Sequence, residues 1–384
     1  MNKLPPRRPV AIGNHHSPLP QTVQASLQAL TVRRRRQFFP HQIKTILVRA
    51  VNWLGDAILT LPTLRQLPRF FPGARLSILA LPRVAPVFAN LPEVAEVIPY
   101  LPKPPQSPWG AWCRLLRELR RRRFDLTVLL PNSFESALVA RLAGIPHRVG
   151  YNTDGRGWLL TQVVQGPEKM AAHHQVYRHA GIIKAFGWVA LDGFPELVLT
   201  AAEKNAAARL LAANGWRPGR KVIGLGPGAR YGPAKQWFPE RFAAVATALQ
   251  ESHDALVVVL GGPGDQAAAQ RLVAAMAEPP INLVGRTDLR MALAVIHHLD
   301  VLLSNDSGLM HAAAALWTPV VAIFGSTDPF ATGPFTPYAS VLWHPLPCGP
   351  CLQRTCPLGH SQCLDLISVS AVLEQMEYWL ARTR

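Results

Sequence analysis

The chain has 384 residues, 49% of them apolar and 16% charged, and carries a net charge of +17. Such a length and apolar content exclude a disordered chain and suit two domains of about 150–200 residues each. No apolar run reaches the ~18 residues of a membrane span, and the N-terminus lacks the apolar stretch of a secretory signal, so a cytosolic protein is expected.

Residues 1–43 are rich in Pro, His, Gln and Arg and read as a mobile basic extension, with a short amphipathic piece around QTVQASLQALTV. An N-terminal α/β domain is expected over 44–195. KTILVRA is a β-rich run, VNWLGD a loop, and a helix follows to about Leu67; Pro62 either kinks it or lies in its true first turn. ARLSILALP and VAEVIPY predict strands, WGAWCRLLRELRRRRF a helix, DLTVLLP a strand, SFESALVARLAG a helix and HRVGY a short strand.

A second domain over 196–384 repeats the scheme after a linker near 188–200. TAAEKNAAARLLAANG is a helix with a Thr cap and a closing Gly. KVIGLGPG and ALVVVLGGPGD are strands running into glycine turns, with PERFAAVATALQES as the helix between them. QAAAQRLVAAMA and DLRMALAVIHHL are helices around the strand INLVG; DVLLSND, SGLMHAAAAL and PVVAIFG continue as strand, helix, strand. Fully apolar strands alternating with helices predict two Rossmann-like, doubly wound parallel-sheet domains facing a central cleft. Ligands in such sheets bind beyond the carboxyl ends of the strands.

Three strand ends of the second domain carry the chemistry of an anion site. In SNDSGLMH, Ser307 is placed to cap a helix whose first amides lack partners, and Gly308 lets a ligand approach them. Asp306 would fix the turn or bond a ribose hydroxyl, and His311 would add a donor to a phosphate oxygen. The competing reading is a well-capped helix with a core histidine. In GLGPGARYGPAKQWFPERF, Gly228 lies on a glycine turn and Lys235 just before a helix, a point charge suited to a pyrophosphate. Asp265, in GGPGD, is a third candidate, for a ribose. In the first domain Asp56 stands where strand gives way to helix, either as a cap or as a general base. No Asp-x-Asp pair occurs anywhere, which favours metal-free departure of a diphosphate with no catalytic cofactor.

Cys348, Cys351, Cys356 and Cys363 crowd one segment with His360, while Cys113 stands apart. Clustered cysteines in a cytosolic chain point either to a structural metal such as zinc or to a tight loop with free thiols. The basic clusters TVRRRRQFF and LRELRRRRFD form a solvated face or favour anionic partners: nucleic acid, a membrane surface or phosphorylated substrates.

NWLGDAILTLPTL, FDLTVLLPNSFESALVARLAGIPHRVGY, GPGARYGPAKQWFPERF and NDSGLMHAAAAL, in that order, resemble the heptosyltransferases of glycosyltransferase family 9, nearest their heptosyltransferase II branch. The resemblance implies a GT-B fold with the donor in the C-terminal domain. It implies inverting transfer of L-glycero-D-manno-heptose from ADP-heptose to the inner core of lipopolysaccharide, at the cytoplasmic face of the inner membrane. It assigns Asp56 as base, Lys235 to the donor phosphates, and Asp306, Ser307, Gly308 and His311 to the donor motif. The long basic extension departs from the family pattern, and Asp265 replaces a glutamate some members use near the ribose. Arg83 and Lys103, on strand-end loops, are candidates to hold the anionic acceptor. Other readings are a heptosyltransferase of a different step (Kdo or outer core), a nucleotide-sugar epimerase, or a zinc-containing nucleic-acid binder. Aromatics make up 8% and are not interleaved with the basic clusters, which speaks against the last.

Overall fold

The structure is a computed structural model describing residues 21–101, 108–166, 173–187 and 193–383. The chain divides into two compact units, one over 16–198 and one over 199–384.

The first unit runs α1 (Gln21–Gln28), β1 (Thr31–Arg34), β2 (Thr45–Arg49), α2 (Leu54–Leu59), α3 (Leu61–Phe70), β3 (Arg75–Ala80), β4 (Glu96–Pro99), α4 (Pro108–Arg122), β5 (Leu126–Leu129), α5 (Phe134–Leu142), β6 (His147–Tyr151), β7 (Gln162–Gln165) and α6 (Gln175–Ala180). Its sheet has the order β1-β7-β6-β5-β2-β3-β4. All pairings are parallel except β1, which runs antiparallel along β7 with Arg34 opposite Gln162. Pro62 sits in the first turn of α3, and the break from α2 falls at Thr60, whose Oγ1 donates to the Ala57 carbonyl at 2.6 Å.

One expectation is corrected here. Residues 21–43 do not all belong to an extension, because their apolar residues are spaced to pack. Val23, Leu27 and Leu30 recur at helical intervals and are each no more than 4% exposed. Phe38 stacks in a cluster with Phe71, Phe186 and His147. Residues 1–20 lie outside the described residues, as does Lys103.

The second unit runs α7 (Ala201–Ala213), β8 (Val222–Gly226), α8 (Pro239–His253), β9 (Leu256–Val259), α9 (Gln266–Ala274), β10 (Ile281–Asn282), α10 (Leu289–His297), β11 (Val301–Asn305), α11 (Gly308–Ala315), β12 (Val320–Phe324), α12 (Pro329–Thr332), β13 (Ala339–Trp343), α13 (Gln362–Asp365) and α14 (Val369–Leu380). Its sheet is wholly parallel, in the order β10-β9-β8-β11-β12-β13. Thr200 caps α7 through a reciprocal pair with Glu203, as TAAE predicts. The core is built on Trp237 and Phe242, both fully buried, packed with the β8, β9, β11 and β12 side chains and with α14.

The two sheets share one plan. Leaving aside β1, strands wind outward from the first strand on one side and then, from the fourth onward, on the other. The winding reverses between β2 and β5 in the first unit and between β8 and β11 in the second. In doubly wound sheets the crevice at that reversal, beyond the carboxyl ends, is where ligands bind. Both units also share a staple at the opposite end. Asp125, ahead of β5, accepts hydrogen bonds from the Lys44 and Thr45 amides at the start of β2 (2.8 and 2.9 Å). Asp300, ahead of β11, accepts from the Val222 amide at the start of β8 (2.8 Å) and pairs with Lys221 (3.1 Å).

Candidate active site

In the second unit Lys235, Asp306, Ser307 and His311 lie on the segments that follow β8 and β11, the strands of the reversal. β8 ends in a glycine turn and the chain reaches a 3-10 turn, Pro233–Lys235, before α8. β11 ends at Asn305, and α11 begins at Gly308 with Ser307 as cap, its Oγ accepting from the Leu309 amide at 3.3 Å. Asn305, wholly buried, fastens the two strand ends together: Oδ1 accepts from the Trp237 amide (2.9 Å) and Nδ2 donates to the Pro227 carbonyl (2.7 Å).

This staple delivers Lys235 to Asp306. Lys235 Nζ lies 2.5 Å from Asp306 Oδ2, with the two side chains 12% and 5% exposed. The same oxygen accepts from Thr327 Oγ1 at 2.5 Å, on the loop after β12. Three strand ends thus converge on one carboxylate oxygen. A lysine so held is pre-positioned, and the partial positive charge at the start of α11 adds to it.

His311, one turn into α11, is buried, and its Nδ1 has no hydrogen-bond partner among the described residues. Burial pushes its pKa down to about 4; Asp306 opposes the shift and Lys235 adds to it. His311 is therefore neutral at pH 7 in this fold.

Asp265 stands apart from this group. Its Oδ2 accepts from the Gly262 amide at 2.8 Å, closing the turn after β9. Its carboxyl covers Gly228 so closely that a Cβ there would stand 2.1 Å away, which is why the turn needs glycine. Burial raises its pKa, against the pull of the Gly262 amide and Arg230.

In the first unit Asp56 is a half-buried residue in the first turn of α2, directly beyond the end of β2 and so at that sheet's reversal. The cap position belongs to Trp53. Arg83, on the loop after β3, donates to the Asn52 carbonyl at 3.2 Å and so lies against the loop that carries Asp56. Two arginines went unread in the sequence. Arg49 ends β2, lies 4.4 Å over the Tyr100 ring, and donates to the Ala50 carbonyl (2.6 Å); burial pushes its pKa down to about 10, with Glu135 opposing. Arg156 is fully buried and donates to the Tyr151 carbonyl and to Ser136 Oγ (3.0 and 2.9 Å). A cation closing an apolar strand, as in KTILVRA, was the available signal for Arg49. Thr327, in GSTDP, was signalled only by its place after a strand.

The cysteine segment, 348–363, leaves β13 as a loop and ends within α13, where Cys363 lies. One cavity takes lining from Cys348, Cys351, Cys356 and Cys363 together with Ala234 and Ser326. All five cysteines of the chain are free. The amide of Ser361, then those of Leu358, Gly359 and His360, pull the Cys356 thiol down, while burial pushes Cys363 up. The thiols share a cavity but do not form a ligand set: among the described residues no group of three or more His, Cys, Asp or Glu side chains is arranged to hold a metal ion.

A doubly wound unit with a cation and helix amides at its reversal, preceded by a second such unit carrying an acid, has the build of an enzyme that transfers a group from a nucleotide. Comparison with known proteins agrees. The model of glycosyltransferase family 9 (heptosyltransferase) matches residues 112–362. Lipopolysaccharide heptosyltransferase 2 of Escherichia coli K12 is 33% identical over 348 residues, 86% of this chain and 97% of that one. The solved structure of E. coli ADP-heptose lps heptosyltransferase II superposes with a TM-score of 0.76 at 31% identity, covering 88% of this chain and 99% of that one. A family 9 glycosyl transferase from Veillonella parvula shares the fold with a TM-score of 0.81 at 22% identity, over 91% of this chain and 100% of that one. The chain belongs to glycosyltransferase family 9, and it is a glycosyltransferase of the two-domain GT-B type.

Proposed function

We propose that the chain moves L-glycero-D-manno-heptose from ADP-heptose onto the inner core of lipopolysaccharide, with the first core heptose as acceptor and inversion at the anomeric carbon. The observation that carries this reading is the Lys235–Asp306–Thr327 cluster at the start of α11, a ready seat for a diphosphate. The relatives named above supply the sugar and the acceptor class.

In this mechanism Asp56 takes the proton from an acceptor hydroxyl as its oxygen bonds to the anomeric carbon. The bond from that carbon to the β-phosphate oxygen breaks, and ADP leaves with the electron pair. Lys235 and the first amides of α11 stabilise the charge that grows on the phosphate, commonly the largest catalytic contribution. Asp306 and Thr327 hold Lys235 in place. No step requires a metal ion, in keeping with a sequence that lacks an Asp-x-Asp pair. The acceptor is anionic and membrane-borne, so the chain would work at the cytoplasmic face of the inner membrane, with Arg83 beside the Asp56 loop steering the acceptor. Among the described residues no helix is long and apolar enough to cross a membrane.

The test is a panel of ADP-heptose with truncated lipopolysaccharides of defined length, products read by mass spectrometry. Transfer should require one heptose on the acceptor; transfer onto Kdo alone would replace this acceptor with an earlier one. Asp56→Ala should lose about 10²–10⁴ in kcat with ADP-heptose affinity intact. A wild-type rate in that variant would remove Asp56 from the mechanism. Arg83→Glu should raise the acceptor KM and leave the donor KM alone.

A further inference from the structure

Lys235 enters the donor site already paired. Its ammonium is 2.5 Å from a carboxylate that is almost wholly buried, so much of its charge is spent before any ligand arrives. A departing nucleoside diphosphate carries two to three negative charges, and one compensated lysine with a helix terminus balances them poorly. The same part of the molecule offers another cation.

Lys235 Nζ lies 4.8 Å from the centroid of the Tyr231 ring, and the Arg354 guanidinium lies 5.4 Å from the same centroid. Arg354 comes from the cysteine loop, between Cys351 and Cys356. That loop is stitched to the Lys235 loop by backbone. The Ala234 amide donates to the Arg354 carbonyl (3.0 Å), the Leu352 amide to the Ser326 carbonyl (2.8 Å), and the Ser326 amide to the Ala234 carbonyl (3.3 Å). Tyr231 Oη donates to the Leu352 carbonyl at 2.5 Å. Gly232 has φ +154°, and a Cβ on it would stand 2.3 Å from the Arg354 carbonyl oxygen, so the two loops touch at a position only glycine serves well. Arg354 itself is exposed, and among the described residues its side chain forms no ion pair. An arginine parked on an aromatic ring, free of carboxylates and anchored beside the diphosphate lysine, is placed to leave the ring for a phosphate.

We propose that Arg354 is a second diphosphate-binding cation of the donor site, presented by the cysteine loop and resting on Tyr231 until the nucleotide binds. The proposal rests on the donor reading above and adds a residue to it. Its planar, always-charged fork would take two phosphate oxygens at once, which a lysine does not do.

Calorimetric titrations of the full chain with ADP, AMP and adenosine test it. Arg354→Ala should weaken ADP about tenfold, in the range of one charge-assisted hydrogen bond, and leave adenosine unchanged. Arg354→Lys should recover part of the loss. The ADP affinity of Arg354→Ala should also depend less steeply on salt than that of the wild type, and the donor KM should rise more than kcat falls. Equal ADP affinity in wild type and Arg354→Ala overturns the proposal and leaves the donor site standing. Equal weakening of ADP and adenosine also overturns it, because the arginine would then merely prop the loop. A wild type that binds no ADP overturns both this proposal and the donor reading beneath it.

Discussion

His311 and His179 lie in different units, yet burial does the same to both. Each imidazole is pushed down to about 4, in His179 with help from Arg178. A histidine whose folded pKa lies below its unfolded value near 6.5 supports the fold fully above pH 6.5. That support is lost as pH falls through about 4, because the unfolded state takes up the proton first. Thermal unfolding of the wild type between pH 7 and pH 4.5 should therefore show a falling Tm, and His311→Gln should show a shallower fall. An identical slope in the variant would mean that His311 is protonated as easily in the fold as out of it. At this scale the sequence was informative about identity and silent about state. SNDSGLMH named Asp306, Ser307 and His311, but it could not say that Lys235 and Thr327 meet on one Asp306 oxygen. Those contacts come from loops 71 and 21 residues away along the chain.

The elements repeat a device that keeps the strand staples at the opposite end of each sheet from the candidate site. Asp125 and Asp300 staple the amino ends of β2 and β8, while Asp56, Lys235 and Asp306 lie beyond carboxyl ends. Removing a carboxylate that accepts backbone N–H bonds costs about 1–3 kcal/mol. Asp300→Ala should thus lower Tm by a few degrees while kcat and both KM values stay near wild type, measured by calorimetry and initial rates on the same preparation. A large kcat effect with an unchanged Tm would contradict that division. Most elements were legible because buried parallel strands are apolar throughout and their helices carry caps, as at Thr200. Three strands were not. β1 (TVRR) is charged, β7 (QVVQ) is four residues long, and β13 follows a Pro- and Gly-rich crossover whose only helix, α12, spans four residues. Helical periodicity cannot register in so short a segment.

Across the whole molecule, two copies of one winding plan were readable from the alternation of apolar runs and helices, and the family motifs gave them their order. The first sheet departs from its twin by the added β1, which turns a plain parallel edge into an antiparallel one. Without β1, the β7 backbone would present unpaired N–H and C=O groups beside Val163 and Val164, an open template for another chain. A chain lacking residues 1–36 should therefore self-associate, seen as a rise in mass by light scattering at micromolar concentration; a strictly monomer-like profile matching the full chain would show that β7 needs no cover. The covering strand is itself exposed, with Arg33 and Arg34 on it and Arg35 and Arg36 just beyond. Two such margins meeting edge to edge would bring eight guanidinium groups together. The arginine run thus sets like charge against like charge wherever the molecule would pair with its own likeness along that border.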